Sequence, residues 1–475
     1  MACDALPALT HQIWALKDQG GWRTMDADEI VAYGLPAHDD PVWTAAVSLF
    51  GRDWFQRLWI VQEIVLAPSA VVLCGDKTLE WLVMVHFVVA VMDSRVVPAI
   101  AAMHSPVMGQ ALADLSMRGI WLVRLAWQLQ QGLRDPGTGR KAMALALGLM
   151  QTQRATVKVD HVYAVLGLLP EELGIKVVVD YSEETKQNYG LVHAAFFRQC
   201  LERLEDWPSI QFQPQAAPAG NAPSWCPRWE GDWNSAVMLS AGCQAGRPTQ
   251  TSCLRSFNNP SPAAAKEDGI LCIAGISVDT VQDIISLDRT ADTNLAAILQ
   301  VFIDCAPHTP DGADGPARLL GALIGDCGWL NRPNFSKAPD GHLLRGLLGF
   351  LRPLVAHHSG HKDEAGYVPL NINTADYFLG EHQFWREYLN FVSLRWKNRN
   401  IAVTGYGRLG LVSRATKLGD TVCVFLGATL PQVISRHEDG VHWTYLGPTA
   451  VDGLLDGEVF AADDWQDKKE IFYLK

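Results

Sequence analysis

The stretch Arg52-Asp-Trp-Phe-Gln-Arg-Leu-Trp-Ile-Val-Gln-Glu-Ile-Val-Leu-Ala67 runs on to Cys74-Gly75 and crowds arginine, tryptophan, glutamine and glutamate into one short segment. Trp54, Leu58 and Val61 fall at helical spacings, and Phe55, Trp59 and Gln62 form the adjacent line, so the periodicity predicts one amphipathic helix. Glu63 lies four residues after Trp59 and therefore shares its face. An acid held beside a large ring is either a buried structural pair, here with Arg52 or Arg57, or a ligand-facing group.

Around this segment the composition is that of a globular chain. The 475 residues are 48% hydrophobic and 19% charged, enough for a sizeable core and for two or three domains. A formal net charge of -12, with no Lys/Arg run, argues against nucleic acid as a partner. The ten cysteines are scattered without a C-x-x-C pair, which reads as reduced, buried thiols. Met1-Ala-Cys-Asp-Ala-Leu-Pro7 lacks the basic and apolar regions of a signal peptide. Leu82–Met92, the most apolar run, is shorter than the roughly 20 residues a membrane span needs and is expected to be a core helix. The expectation is a cytoplasmic protein without a membrane span.

Five regions are expected: 1–77, 78–206, 207–268, 269–397 and 398–475. The first has an acidic helix start at Thr24–Glu29, the Trp-rich helix, and a short strand Val71–Cys74 closing on a Gly75-Asp76 turn. The second is helical, broken by a loop at Arg134–Gly139, with a helix from Asp160 that stops at Gly167 and Pro170 and further helix from Glu183 to Leu204. The third is an irregular, Pro-rich connection. The fourth opens on a short strand at Leu271, then carries helices near 289–305, 316–325 and 375–396 and a polar loop over 353–370. In the fifth, Ile401–Thr404, Leu409–Val412, Thr421–Leu426, Val433-Ile434 and Trp443–Leu446 are β-type runs divided by Gly, Asp or Pro, suggesting an antiparallel sheet or small barrel.

Four segments in the same order carry a resemblance. Arg52–Glu63 resembles the R-x-W-F-x-R-x-W-x-x-Q-E pattern of the fungal heterokaryon-incompatibility family. Arg154-Ala-Thr-Val-Lys-Val-Asp-His-Val-Tyr-Ala-Val-Leu-Gly-Leu168 is similar to the segment that follows that family's domain. Pro223-Ser-Trp-Cys-Pro-Arg-Trp229 resembles its P-S-W-x-P-x-W element, and Gly407–Gly410, Gly419-Asp420 and Asp452–Glu458 resemble its usual ending. Family members open with S-Y-x-W-G-like and L-W-I-D-x-I-C-I-N-Q-like strands that have no counterpart here. The resemblance therefore implies an α+β chain: a truncated α/β remnant like the Toll/interleukin-receptor (TIR) fold, a mainly helical middle and a C-terminal antiparallel β-rich subdomain.

The resemblance also sets the functional expectations. The first is non-self recognition and programmed cell death in a fungus, through a protein partner or self-association. Some TIR-like proteins cleave NAD with a helical glutamate, and Trp59-Ile-Val-Gln-Glu63 has the matching Trp-to-Glu spacing. On that second reading Glu63 is catalytic, stabilising an oxocarbenium-like transition state, and Trp59 stacks on a ring of the substrate NAD. A third reading is an accessory or catalytic role in a biosynthetic cluster, with an aromatic pocket for an apolar small molecule.

The residues alone identify no enzyme. His357, His358 and His361 with Asp363 and Glu364 have metal-like spacing but sit in a polar loop, so no metal is expected. Gly405–Gly410 is too short a pattern to cradle phosphates, and Gly242–Gly246 matches a nucleophile elbow only in outline, so no bound cofactor is expected. Tyr163 and Leu166 should be core. Trp225 and Trp229 should anchor the irregular segment onto the domain.

Overall fold

The computed structural model describes residues 2–18, 31–32, 34–37, 39–94, 110–133, 139–204, 221–227, 229, 269–287, 301, 304–308, 322–323, 396, 398–428, 430–455, 457–461 and 464–475. The expectations for Thr24–Glu29, Arg134–Thr138, Gly242–Gly246, 353–370 and 375–395, and for most of the helices near 289–305 and 316–325, lie outside these residues. The chain divides into two units, Met1–Phe196 with Trp229–Trp233, and Phe197–Arg228 with Asn234–Lys475.

In the first unit α1 (Ala2–Asp18) is followed by α2 (Pro41–Phe50), whose start is written in Asp40-Pro41. The Asp40 carboxylate accepts from the Val42 N–H at 2.8 Å, and proline at the first helical position forfeits no internal bond. The predicted Trp-rich helix is two pieces. A 3₁₀ turn, Asp53–Gln56, ends at Arg57, which is extended (φ -85, ψ 132), and α3 (Ile60–Val65) starts after Trp59. The interruption has a partner. Leu58 N–H donates to Arg154 O at 2.9 Å and Arg154 N–H to Gln56 O at 2.7 Å, forming a parallel bridge between Arg57 and Arg154. Of the residues on the two predicted lines Phe55, Leu58 and Val61 are buried, while Trp54, Trp59 and Gln62 are half-buried, and Ile60, on neither line, is buried as well.

The expected strand and turn are present as a hairpin, β1 (Val71–Cys74) with β2 (Lys77–Glu80), turned by Gly75 at φ 65. Helices α4 (Trp81–Ser94), α5 (Gln110–Leu133), α6 (Gly139–Thr152) and α7 (Asp160–Leu166) follow, with Gly167 capping the last where the sequence placed a stop. Phe50 stacks on Phe87 at 5.9 Å. Where α5 crosses α2, a Cβ on Gly119 would lie 2.0 Å from Phe50 O, so no other residue fits that crossing. Next come α8 (Glu183–Gln187) and α9 (Tyr189–Leu204). Among the described residues of this unit the strands are those of the hairpin.

The second unit is organised by β3 (Leu271–Ser286), expected as a short strand and found to run 16 residues. With β4 (Arg399–Thr404), β5 (Leu409–Ser413), β6 (Thr421–Phe425), β7 (Gln432–Arg436), β8 (His442–Pro448), β9 (Ala450–Val451) and β10 (Glu470–Leu474) it makes a sheet of order β10-β8-β7-β6-β3-β4-β5-β9. β10 pairs on both sides, parallel to β8 and antiparallel to β3, so β3, β6, β7, β8 and β10 form a closed ring. The expected antiparallel sheet is therefore mixed. Register shifts at Ser277/Asp279 and Val281/Asp283 bend β3, so its first half pairs with β10 and β6 and its second half with β4. Gly275 lies between β10 and β6, opposite Glu470 and Phe425, where a Cβ would meet Val424 O at 2.7 Å. Val281, Ala402, Val412, Val422, Val433, Leu446 and Val451 fill the interior.

The Pro-Ser-Trp element docks on this unit. Ser224 N–H donates to Lys475 O at 3.1 Å, its hydroxyl accepts from Tyr445 N–H at 2.9 Å, and the fully buried Trp225 donates through Nε1 to Gly269 O. Trp225 therefore anchors as expected. Among the described residues no helix is long and apolar enough to cross a membrane.

Candidate functional site

The bridge between residues 57 and 154 brings the first two resembling segments together, and their polar side chains meet at Asp160. Asp160 opens α7 and is 8% exposed. Trp59 Nε1 donates to its Oδ2 at 3.0 Å and the Tyr181 hydroxyl donates to its Oδ1 at 2.7 Å. Each carboxylate oxygen thus has one neutral donor, which offsets part of the cost of burying the charge. Partial burial, then the bond to Asp160 and its charge, push the Tyr181 phenol up to about 12, so it remains a donor across the physiological range.

Beneath Asp160 lies a histidine pair. His161 is 1% exposed and its Nδ1 is 3.2 Å from Met150 O; since a carbonyl only accepts, Nδ1 carries the hydrogen. Burial, opposed by that bond and aided by the Lys158 charge, holds His161 down to about 4. His193 donates from Nε2 to Lys158 O at 2.9 Å and meets His161 edge-on at 6.2 Å, with Trp229, also buried, on its other side at 6.5 Å. Tyr163 is buried as expected, while Leu166 is only half-buried. A second polar layer joins α5 to the 3₁₀ turn and to α6. Gln56 Nε2 donates to Leu115 O at 3.0 Å and Arg118 to Thr152 O at 3.0 Å.

The two residues singled out by spacing part company here. Trp59 is half-buried and committed to Asp160, whereas Glu63 is exposed. Among the described residues Glu63 forms no ion pair with Arg52 or Arg57, so the buried bridge expected for it is not formed. The reason is geometric. Breaking the helix at Arg57 leaves the guanidinium exposed on a different element from Glu63. Sequence reasoning missed Asp160 as the carboxylate of this site, and Tyr181 entirely. Their pairing spans 21 residues and a change of element, which no periodicity reports.

Elsewhere the chemistry-bearing residues have structural work. Gly405–Arg408 is the turn between β4 and β5, closed by Gly407 N–H to Thr404 O at 2.8 Å. Burial raises the thiols of Cys200, Cys305 and Cys423, which disfavours the thiolate a nucleophile needs. The seven described cysteines form no disulfide with one another. His357, His358 and His361 lie outside the described residues, and among those described no cluster of His, Cys, Asp or Glu is placed to hold a metal ion.

Comparison with curated proteins and with solved structures finds no match. The β-rich end does match a family. Residues 381–475, which contain β4 to β10, fit the family model described as the Het-6 beta-barrel domain, and this links the chain to the fungal heterokaryon-incompatibility family.

Proposed function

We propose that this chain is a heterokaryon-incompatibility-type protein that acts in the cytoplasm of a filamentous fungus, in non-self recognition and programmed cell death, through protein interaction rather than by turning over a substrate. The observation that carries the reading is the family match over residues 381–475, in a chain whose upstream segments resemble the same family in the same order. The site around Asp160 supports interaction over catalysis. Both carboxylate oxygens are occupied by Trp59 and Tyr181, and Glu63 stands exposed, with no ion pair among the described residues to tune it.

The test is expression of the full chain in a filamentous fungus, alone and against a panel of strains differing at incompatibility loci. Growth arrest or compartment death with some strains is expected. Normal growth across the panel, with the protein shown to accumulate, refutes the proposal.

A further inference from the structure

Between the 3₁₀ turn Glu171–Leu173 and α8 the chain runs as Gly174-Ile-Lys-Val-Val-Val-Asp-Tyr-Ser182, with no helix or turn from 175 to 182. One edge of this stretch is fixed. The Tyr163 hydroxyl accepts from Asp180 N–H at 3.1 Å, and Val178 O and Asp180 O lie within its reach at 3.4 and 3.1 Å. Val178 and Asp180 therefore turn their main chains to the same side, as alternate residues of an extended strand do. The main-chain groups of Val177, Val179 and Tyr181 must then face the other way. Among the described residues none of these groups has a hydrogen-bond partner. Two of the three valine side chains are open as well, Val178 85% exposed and Val179 56%, while Val177 is half-buried. Among the described residues, three consecutive valines with an unpaired outer edge thus form a strand that lacks a neighbour.

We propose that residues 177–181 are a docking edge through which two copies of this chain pair antiparallel, about a twofold axis passing Val178. The charges select this occupant and register. Pairing about Val178 sets Lys176 of each copy opposite Asp180 of the other, so the pair makes two opposite-charge contacts on one face. A parallel in-register pairing would set Lys176 on Lys176 and Asp180 on Asp180. The hydrogen-bond pattern agrees independently. In this register Val177 faces Val179 of the other copy as a hydrogen-bonded pair, using the groups that are open, while Val178 faces its own copy at a non-hydrogen-bonded site with Cα atoms about 4.5 Å apart. Tyr163 and the Asp180 side chain, which accepts from Ser182 N–H at 2.9 Å, hold the edge in shape beforehand, so little ordering is left to pairing. The surface is small, and the pairing belongs to the weak, concentration-dependent class. It rests on the geometry of the first unit and not on the incompatibility reading, so either can fail alone.

Register-specific disulfide trapping tests it. Full-length Val178→Cys and Ile175→Cys are incubated with oxidised glutathione, with the unsubstituted chain as background for the native thiols. Val178→Cys should form covalent dimer at least ~10-fold faster than Ile175→Cys, because pairing raises the local thiol concentration only at the axis. Adding Lys176→Asp, which sets Asp opposite Asp180, should remove most of that advantage, and so should Val179→Pro, which deletes an outward N–H. Circular dichroism checks that each variant is folded; if Val179→Pro is not, Lys176→Asp carries the comparison. Equal rates at positions 178 and 175, or a fast rate at 178 indifferent to Lys176→Asp, overturn the proposal. The latter outcome would mean random collision or a different partner strand.

Discussion

Lowering the pH should loosen the first unit through one side chain, His161. Its ring is buried and neutral, with Nδ1–H on Met150 O, and the groups around it do not favour a cation. Lys158 opposes the charge, His193 spends its Nε2–H on Lys158 O, and the neighbouring Asp160 points its oxygens at Trp59 and Tyr181. Holding His161 at about 4 against an ordinary 6.5, at about 1.4 kcal/mol per tenfold change, makes a linkage of about 3 kcal/mol. The depressed value fixes the sign. Below pH 6.5 the unfolded chain binds a proton that the folded chain refuses, so stability falls as pH drops toward 4 and is flat in this respect above about 7. Carboxylates also titrate in this window, so the measurement compares the parent with His161→Asn, whose amide can still donate to Met150 O but carries no titratable proton. Pulsed hydrogen exchange on peptides from 139–168, along a urea series at pH 7.5 and pH 4.5, reports this region separately from the other unit. The parent should lose roughly 2–3 kcal/mol more than the variant on acidification, reading as a larger drop in urea midpoint. Identical pH dependence in the two proteins would refute the assignment of a buried, neutral His161.

Asp160→Ala removes the acceptor for both Trp59 and Tyr181 and should destabilise the first unit by about 2–4 kcal/mol, while Tyr181→Phe costs about 1–2; combining the two should cost less than their sum, and full additivity in a double-mutant cycle would show that they do not interact. Gly119→Ala drives a methyl into the main chain at Phe50 O and should destabilise by about 3 kcal/mol or more, whereas Gly148→Ala, whose methyl would meet only Leu125 at 3.7 Å within α6, should stabilise by about 0.5–1; thermal unfolding of the pair checks the contrast. Glu63→Gln should leave unfolding within about 0.5 kcal/mol of the parent, since the side chain is exposed, and both proteins should release nicotinamide from NAD at the same background rate. Release by the parent that the variant lacks would restore the enzymatic reading of Glu63.

How far the sequence disclosed the fold depended on whether an element was local. The β-rich end was legible because Gly407, Gly419, Gly427 and Gly440, all at positive φ, separate runs of β-branched residues, and each run became a strand. β3 and the closure of the ring were not legible. The length of β3 is set by partners from residues 399 to 474, and the pairing of β10 with both β8 and β3 leaves no periodic trace in Glu470–Leu474. The same distinction explains the Trp-rich stretch. Its 3.6-residue spacing picks out three of the buried side chains, Phe55, Leu58 and Val61, but leaves out the buried Ile60, and the main chain leaves the helix at Arg57 because residue 154, distant in sequence, offers it a better partner.

The site divides along that line too. Spacing can state that Trp59 and Glu63 share a face, and it cannot state which side of that face is inward. Trp59 turned toward Asp160, a residue 101 positions away, and Glu63 was left outside. A sequence signal for the right acid did exist. An aspartate that starts a helix already filled by Val162, Tyr163, Ala164 and Val165 cannot reach open water, so its carboxylate needs donors, and the donors it finds are an indole and a phenol. Two neutral donors on a buried carboxylate make a rigid joint, since neither can take or give a proton near neutrality. That joint leads directly to Tyr181, and so to the end of the edge that Tyr163 fixes from behind. The acid in the second segment, and not the one chosen for its distance from a tryptophan, therefore helps fix the extended stretch that ends at Tyr181.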